Sequence, residues 1–176
     1  MKIGIGVIIF IIAGITFFQL EKYSLRSTIK TMKITSPVFE NNKPIPSKYT
    51  CNGENVNPPL AFSDVPENTK SLVLIVDDPD APSGTWIHWV IFNIPKEVRT
   101  ITENSMPEGI QGITSFGKSG YGGPCPPSGT HRYFFKLYAL DTMLSLTEKE
   151  NRKTVEDAMQ NHIITGAEII GLYSKR

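Results

Sequence analysis

A chain of 176 residues with 18 basic and 17 acidic side chains carries a formal net charge of +1, and its Lys and Arg residues are scattered along the sequence. That length suits one domain with a sizeable core, and the charge pattern excludes a nucleic-acid binder, which needs clustered cations to neutralise phosphates. Thirteen prolines and fourteen glycines set among short apolar runs favour a β-rich fold with many turns over a helical bundle.

The first element in chain order is apolar. Residues 3–20, IGIGVIIFIIAGITFFQL, hold no charged side chain, which approaches the roughly 20 residues that cross a bilayer as a helix. We read 1–20 as a transmembrane or signal-anchor helix. It ends in Phe17, Phe18, Gln19 and Leu20 rather than in the small residues of a cleavage site, which favours retention. The basic residues Lys22, Arg26, Lys30 and Lys33 follow it against Lys2 before it, a balance that by itself favours a cytoplasmic domain. The cysteine count pulls the other way. Cys51 and Cys125 are the only two, and an even pair after an export-type segment suits one disulfide in an oxidising compartment, the alternative being two reduced thiols. The expectation is a single-pass, membrane-anchored protein whose domain is exported, periplasmic or extracellular, with Cys51 bridged to Cys125; a cytoplasmic-facing orientation stays open. Two thiols are too few for a structural zinc site.

Residues 21–31 are polar and read as a linker, and 32–176 as the folded domain. MKITSPVF (32–39) offers a short strand interrupted by Pro37, and 41–60 is too rich in Pro, Asn and Gly for regular structure. Three strands follow, SLVLIVDD (71–78), TWIHWVIFNI (85–94) and HRYFFKLYAL (131–140). All three are apolar on both faces, which places them in the middle of a covered sheet. Thr147 and Glu150 form an S/T-x-x-E capping pattern ahead of Val155, Ala158, Met159 and His162 at helical spacing, so a helix is expected over one sheet face. AEIIGLYSKR (167–176) reads as a last strand with a basic tail.

The stretch GYGGPCPPSGTHRYFF (120–135) alternates residues that fix the backbone with residues that free it, which builds a loop of one defined shape, either a corner or a wall. Alternation along a strand sends Trp86 and His88 one way, and likewise His131 and Tyr133. A histidine in an apolar strand is by default a core residue with one hydrogen bond, but two of them near Asp78, a carboxylate able to hold a histidine tautomer, suggest a site. Asp77, Asp78 and Asp80 are equally suited to capping the turn that follows.

The blocks DDPDAPSGTWIHWVIFNIP and GYGGPCPPSGTHRYFFKLYALD closely resemble the phosphatidylethanolamine-binding protein family in its bacterial and archaeal branch, often called Raf kinase inhibitor-like. The likeness takes in D-P-D-x-P at 78–82, the pair Trp86 and His88, and G-P-x-P-P-x-G-x-H-R-Y at 123–133, and extends over 32 to about 173. It implies a mainly β fold with a large central sheet, a smaller second sheet and few helices, carrying one small anion-binding pocket. Carried over by residue, the ligand-binding set is Asp78, Pro82, Trp86, His88, Gly123, His131 and Tyr133, with Arg132 on the opposite strand face. Family members bind phosphate or phospholipid head groups there. Imidazole N–H, phenol and backbone N–H groups such as that of Gly123 are suitable donors.

The function so implied is non-enzymatic binding of a small anionic or phosphorylated ligand, without a cofactor and with a role in modulating a partner protein left open. Eukaryotic members end in a helix near the pocket mouth, whereas this sequence closes in a strand-like segment, so kinase inhibition is not carried over. Three other readings compete. One is an interaction protein with a vestigial pocket. Another is a hydrolase using Ser128, His131 and Asp78, although Ser128 lacks a G-x-S-x-G elbow. The third is a metal site of two histidines and a carboxylate, for which the nearby phenol and loop backbone are less apt than for phosphate.

Overall fold

The computed structural model describes residues 31–175. The expected anchor over 1–20 and nearly all of the linker lie outside them. Among the described residues no helix is long and apolar enough to cross a membrane.

Two sheets form the domain. The smaller holds β1 (Lys33–Thr35), β3 (Leu60–Ser63) and β6 (Thr100–Ile101) in the order β1-β3-β6. The larger adds β2 (Lys43–Pro44), β4 (Ser71–Asp78), β5 (Trp86–Pro95), β7 (Ile110–Gln111), β8 (Thr130–Leu140) and β9 (Ile163–Ser174), ordered β2-β9-β8-β4-β5-β7. The three doubly apolar strands, β8, β4 and β5, are thus adjacent and central, and every residue of β4 is buried.

Alternation along β4 divides the core. Leu72, Leu74 and Val76 face the smaller sheet, where they cluster with Ile34 and Phe62 and with Phe135 of β8, whereas Val73 and Ile75 face Val155 and Met159 of the α-helix α1 (Arg152–Met159). The helix therefore covers one face as its spacing predicts, but its start differs from the expectation. The N-cap is Asn151, whose side chain accepts from the Thr154 N–H at 3.1 Å. The Thr147–Glu150 pattern lies ahead of the helix, and His162 lies beyond it, with Nδ1 2.8 Å from Asp141. Asparagine is as strong a cap as threonine, and here it sits one turn before Val155, the first apolar position that packs. The last strand also starts earlier than expected, at Ile163, because its apolar residues pair along the whole of β8.

Between β2 and β3 the chain makes one 3-10 turn, Ser47–Tyr49, and is otherwise irregular. It is fastened instead by cross-links to 120–125. Cys51 is bridged to Cys125 with Cα atoms 5.4 Å apart, the Cys51 N–H donates to the Pro124 carbonyl at 3.1 Å, and the Tyr121 hydroxyl donates to the Tyr49 carbonyl at 2.9 Å.

Candidate functional site

The pairing of β4 with β5 is interrupted where the site begins. Val76 faces Trp89 and Asp77 faces Ile87, so His88 is an extra residue with no partner on β4. Such a bulge bends the strand and re-aims a side chain. Trp86 and His88 share the pocket side, as alternation predicts, and the bulge lets Trp89 turn back into the core between the sheets.

The Gly/Pro loop docks onto this bulge through both groups of one residue. Gly122 donates its N–H to the His88 carbonyl at 2.9 Å, and its own carbonyl lies 2.6 Å from His88 Nδ1. A carbonyl only accepts, so Nδ1 carries the proton. Burial lowers the His88 pKa against the opposing pull of the Gly122 carbonyl and of the nearby Asp78 charge, which keeps the ring neutral at pH 7. The donor role expected of His88 is thereby corrected: in the neutral ring Nδ1 is spent on the loop, and Nε2 is an acceptor.

Asp78 ends β4 on the same side, 3 % exposed. Its Oδ2 accepts from His131 Nδ1 at 2.8 Å and its Oδ1 from the Asp80 N–H at 2.9 Å, so it holds the histidine tautomer and caps the turn at once. Tyr133, two residues along β8 from His131, stands edge-on to the His88 ring at 5.2 Å. Its hydroxyl is fully buried beside the Asp78 carboxylate and the Cys125 backbone. Burial and the Asp78 charge push its pKa far up, so it remains a phenol with a proton to donate.

Asp77 and Asp80 have separate tasks. Asp77, wholly buried, faces the helix side and is held by Lys136 at 2.8 Å and Arg152 at 3.6 Å, which ties α1 to the sheet. Asp80 receives the backbone N–H of Arg132 at 3.0 Å and both arms of its guanidinium at 2.9 and 2.7 Å. Those bonds lower its pKa to about 2.

These elements enclose a cavity of about 320 Å³ lined by Asp78, Pro82, Trp86 and His88 from the expected set, with Ala81, Ser83, Phe116, Cys125, Pro126 and Pro127. His131 and Tyr133 stand behind Asp78 and His88. Gly123 sits in the wall. Its N–H, expected to face an anion, donates instead to Asn55 Oδ1 at 2.8 Å. A Cβ there would lie 2.5 Å from the Tyr49 carbonyl oxygen, so glycine is required by the close approach of the early loop. Ser128 is exposed and makes no hydrogen bond to His131, so the hydrolase arrangement is an Asp78–His131 couple without its nucleophile.

Sequence reasoning missed Phe116, which stands edge-on to both Trp86 and His88 at 5.5 Å and forms the mouth. It also missed Asn55, which holds the wall. Phe116 lies in a stretch without apolar periodicity, and nothing in the pattern of Asn55 distinguishes it from the other loop asparagines; only the fold brings either to the site.

The family model described as phosphatidylethanolamine-binding protein matches residues 35–174. A UPF0098 protein of Methanothermobacter thermautotrophicus is 50% identical over 150 residues, which span 82% of this chain and 99% of that protein. A UPF0098 protein of Chlamydia trachomatis is 46% identical over 149 residues, 82% of this chain and 99% of that one. Among solved structures, CT736 of Chlamydia trachomatis, described as a homolog of the phosphatidylethanolamine-binding proteins, superposes with a TM-score of 0.81 at 45% identity, covering 83% of this chain and 99% of that one. YbcL of E. coli, described as a member of the mammalian PEBP family, gives a TM-score of 0.78 at 32% identity, covering 84% of this chain and all of that one.

Proposed function

The chain belongs to the phosphatidylethanolamine-binding protein family, and we propose on that premise that its pocket binds a small phosphorylated or otherwise anionic ligand, free phosphate or a phosphate-bearing head group, without transforming it. The observation that carries this reading is the cavity of about 320 Å³ in which Asp78, His88 and Trp86 meet the Gly/Pro loop. The rigid Gly/Pro wall and the bulged His88 supply the fixed walls that a small ligand needs.

The ligand-binding set is then Asp78, His88 and Trp86 in contact, with Pro82 as an apolar wall, His131 and Tyr133 behind them positioning Asp78 and His88, and Gly123 positioning the wall. We place this domain after an N-terminal anchor over 1–20 and in an oxidising compartment. The Cys51–Cys125 bridge supports the compartment, and the uncharged run at 3–20 supports the anchor.

Native mass spectrometry of the purified chain reads what co-purifies, and calorimetry with inorganic phosphate and O-phosphoethanolamine reads affinity. Binding of at least one is expected, weakened about tenfold by Trp86→Phe through the loss of one hydrogen-bond donor at the cavity. Absence of heat with both, and of any bound mass, would refute the assignment.

A further inference from the structure

The strand β2 leaves its neighbour early. Lys43 and Pro44 pair with Gly171 and Leu172 of β9, the Ile45 N–H donates to the Leu172 carbonyl at 2.8 Å, and from Pro46 the chain turns into the 3-10 turn Ser47–Tyr49. Among the described residues, the end of β9 at Tyr173 and Ser174 is therefore without a strand on that edge. The notch so opened has a volume of about 430 Å³ and shares no lining residue with the cavity at Asp78.

Its lining is of two kinds. Pro44, Ile45, Pro46 and Leu172 supply hydrocarbon. Three hydroxyls, on Ser47, Thr130 and Ser174, and the amide of Asn52 supply polar groups. All four polar side chains are exposed, and none of the three hydroxyls makes a hydrogen bond among the described residues. Asn52 Oδ1 accepts from the Tyr173 hydroxyl at 2.9 Å, which fixes the amide and leaves its Nδ2 protons without an acceptor there. A single exposed serine is ordinary, since water satisfies it. Here four such groups converge on one hydrocarbon surface from separate stretches of the chain, which is the composition of a small-molecule site.

The same lining selects the ligand. No Lys, Arg, His, Asp or Glu belongs to it, so a charged molecule would lose water there without meeting a counter-charge. A purely apolar molecule would strip water from the hydroxyls and return no hydrogen bond. A sugar hydroxyl both donates and accepts, as do those of Ser47, Thr130 and Ser174, and the C–H groups of its ring suit the hydrocarbon. We propose that the notch is a second binding site, specific for neutral carbohydrate, with Ser47, Asn52, Thr130 and Ser174 as its hydrogen-bonding residues. It is independent of the oxyanion reading above. Because exposed groups exchange water for sugar at small net gain, the affinity falls in the millimolar range.

The test is chemical-shift mapping by NMR on the isotope-labelled full chain, held in a detergent without a sugar head group. The probes are glucose, galactose and N-acetylglucosamine, with glucuronate and glucosamine as charged controls and cyclohexanol as the apolar one. At least one neutral sugar should shift the amide signals of Ser47, Asn52, Thr130 and Ser174, and should bind about tenfold more tightly than any control. Ser174→Trp, which fills the notch from an exposed position at the end of β9, should abolish that response while the thermal melt stays that of the unmodified chain. Should this variant fail to fold, the mapping on the unmodified chain decides alone. Absence of shifts at these four residues with every neutral sugar at millimolar concentration, or shifts confined to other parts of the domain, overturns the site. A control that binds at the notch as tightly as the sugars overturns the ligand class.

Discussion

Replacing both cysteines by serine removes the one covalent link between the early loop and the pocket wall, and its cost can be worked from the loop length. Cys51 and Cys125 are 74 residues apart. A cross-link closing a loop of that length removes chain entropy from the unfolded state equivalent to about 4.5 kcal/mol at 25 °C. In the folded state the hydrogen bonds from Cys51 to Pro124, Tyr121 to Tyr49 and Gly123 to Asn55 keep the two loops together without it. The reduced fold should therefore persist, and the loss should fall on the unfolded chain. Residual denatured structure lowers the entropic figure, so about 2–4 kcal/mol is expected, which for a domain of this size moves Tm down by about 5–15 °C. Urea and thermal unfolding of the Cys51→Ser/Cys125→Ser chain, compared with the oxidised protein and with the protein under reductant, reads it. The urea m-value should rise, because the released chain exposes more surface on unfolding. A loss below about 1 kcal/mol with an unchanged m-value would refute the argument, since the bridge would then not be limiting the unfolded chain.

The charge pair under the helix behaves differently. Asp77→Asn leaves Lys136 and Arg152 without their buried partner and should cost about 2–3 kcal/mol, less than the roughly 3–5 kcal/mol of breaking a fully buried pair, because both cations are partly exposed; chemical denaturation measures it. Gly123→Ala drives a Cβ against the Tyr49 carbonyl, a backbone atom that cannot rotate away, and should lower the urea midpoint by an amount equivalent to about 1–3 kcal/mol. The Asp80–Arg132 latch has a pH signature. The folded pKa of Asp80 is depressed to about 2, so the latch stabilises fully above the ordinary carboxylate range near 4 and loses its effect as pH falls from about 4 through about 2. Carboxyl NMR titration should show this, with Arg132→Gln returning Asp80 towards about 4.

How much of this was legible depends on whether the signal was local. The central strands were, since runs such as 71–78 are apolar on both faces and only the middle of a covered sheet accepts them. The Cys51–Cys125 bridge was indicated by an even count. The helix was legible as an element, yet its start was misplaced because two capping residues, Thr147 and Asn151, compete within one turn and only packing of Val155 and Met159 chooses between them. β1, β2, β3, β6 and β7 are two to four residues long, too short to show a period. At the site, motif and alternation brought Asp78, Trp86, His88, His131 and Tyr133 together. The tautomer of His88 was hidden, because it is set by the Gly122 carbonyl, 34 positions away in the chain. The spare residue in β5 was hidden too, since a bulge without glycine leaves no mark in composition.

Asp77 and Asp78 are consecutive, and the pleat of β4 sends one under the helix and the other to the cavity. Their environments are opposite in kind: two cations on one side, a histidine and a phenol on the other. A slip of β4 by one residue against its neighbours would put the carboxylate that needs Lys136 and Arg152 into the pocket and leave those cations facing Val76. Insertions and deletions in this strand should therefore be lethal to stability and binding together, even where the added residue is itself a good strand former. The turn that follows carries the Asp80 latch and Pro82 of the cavity wall, so length variation among descendants of this sequence should be confined to its exposed tip at Gly84.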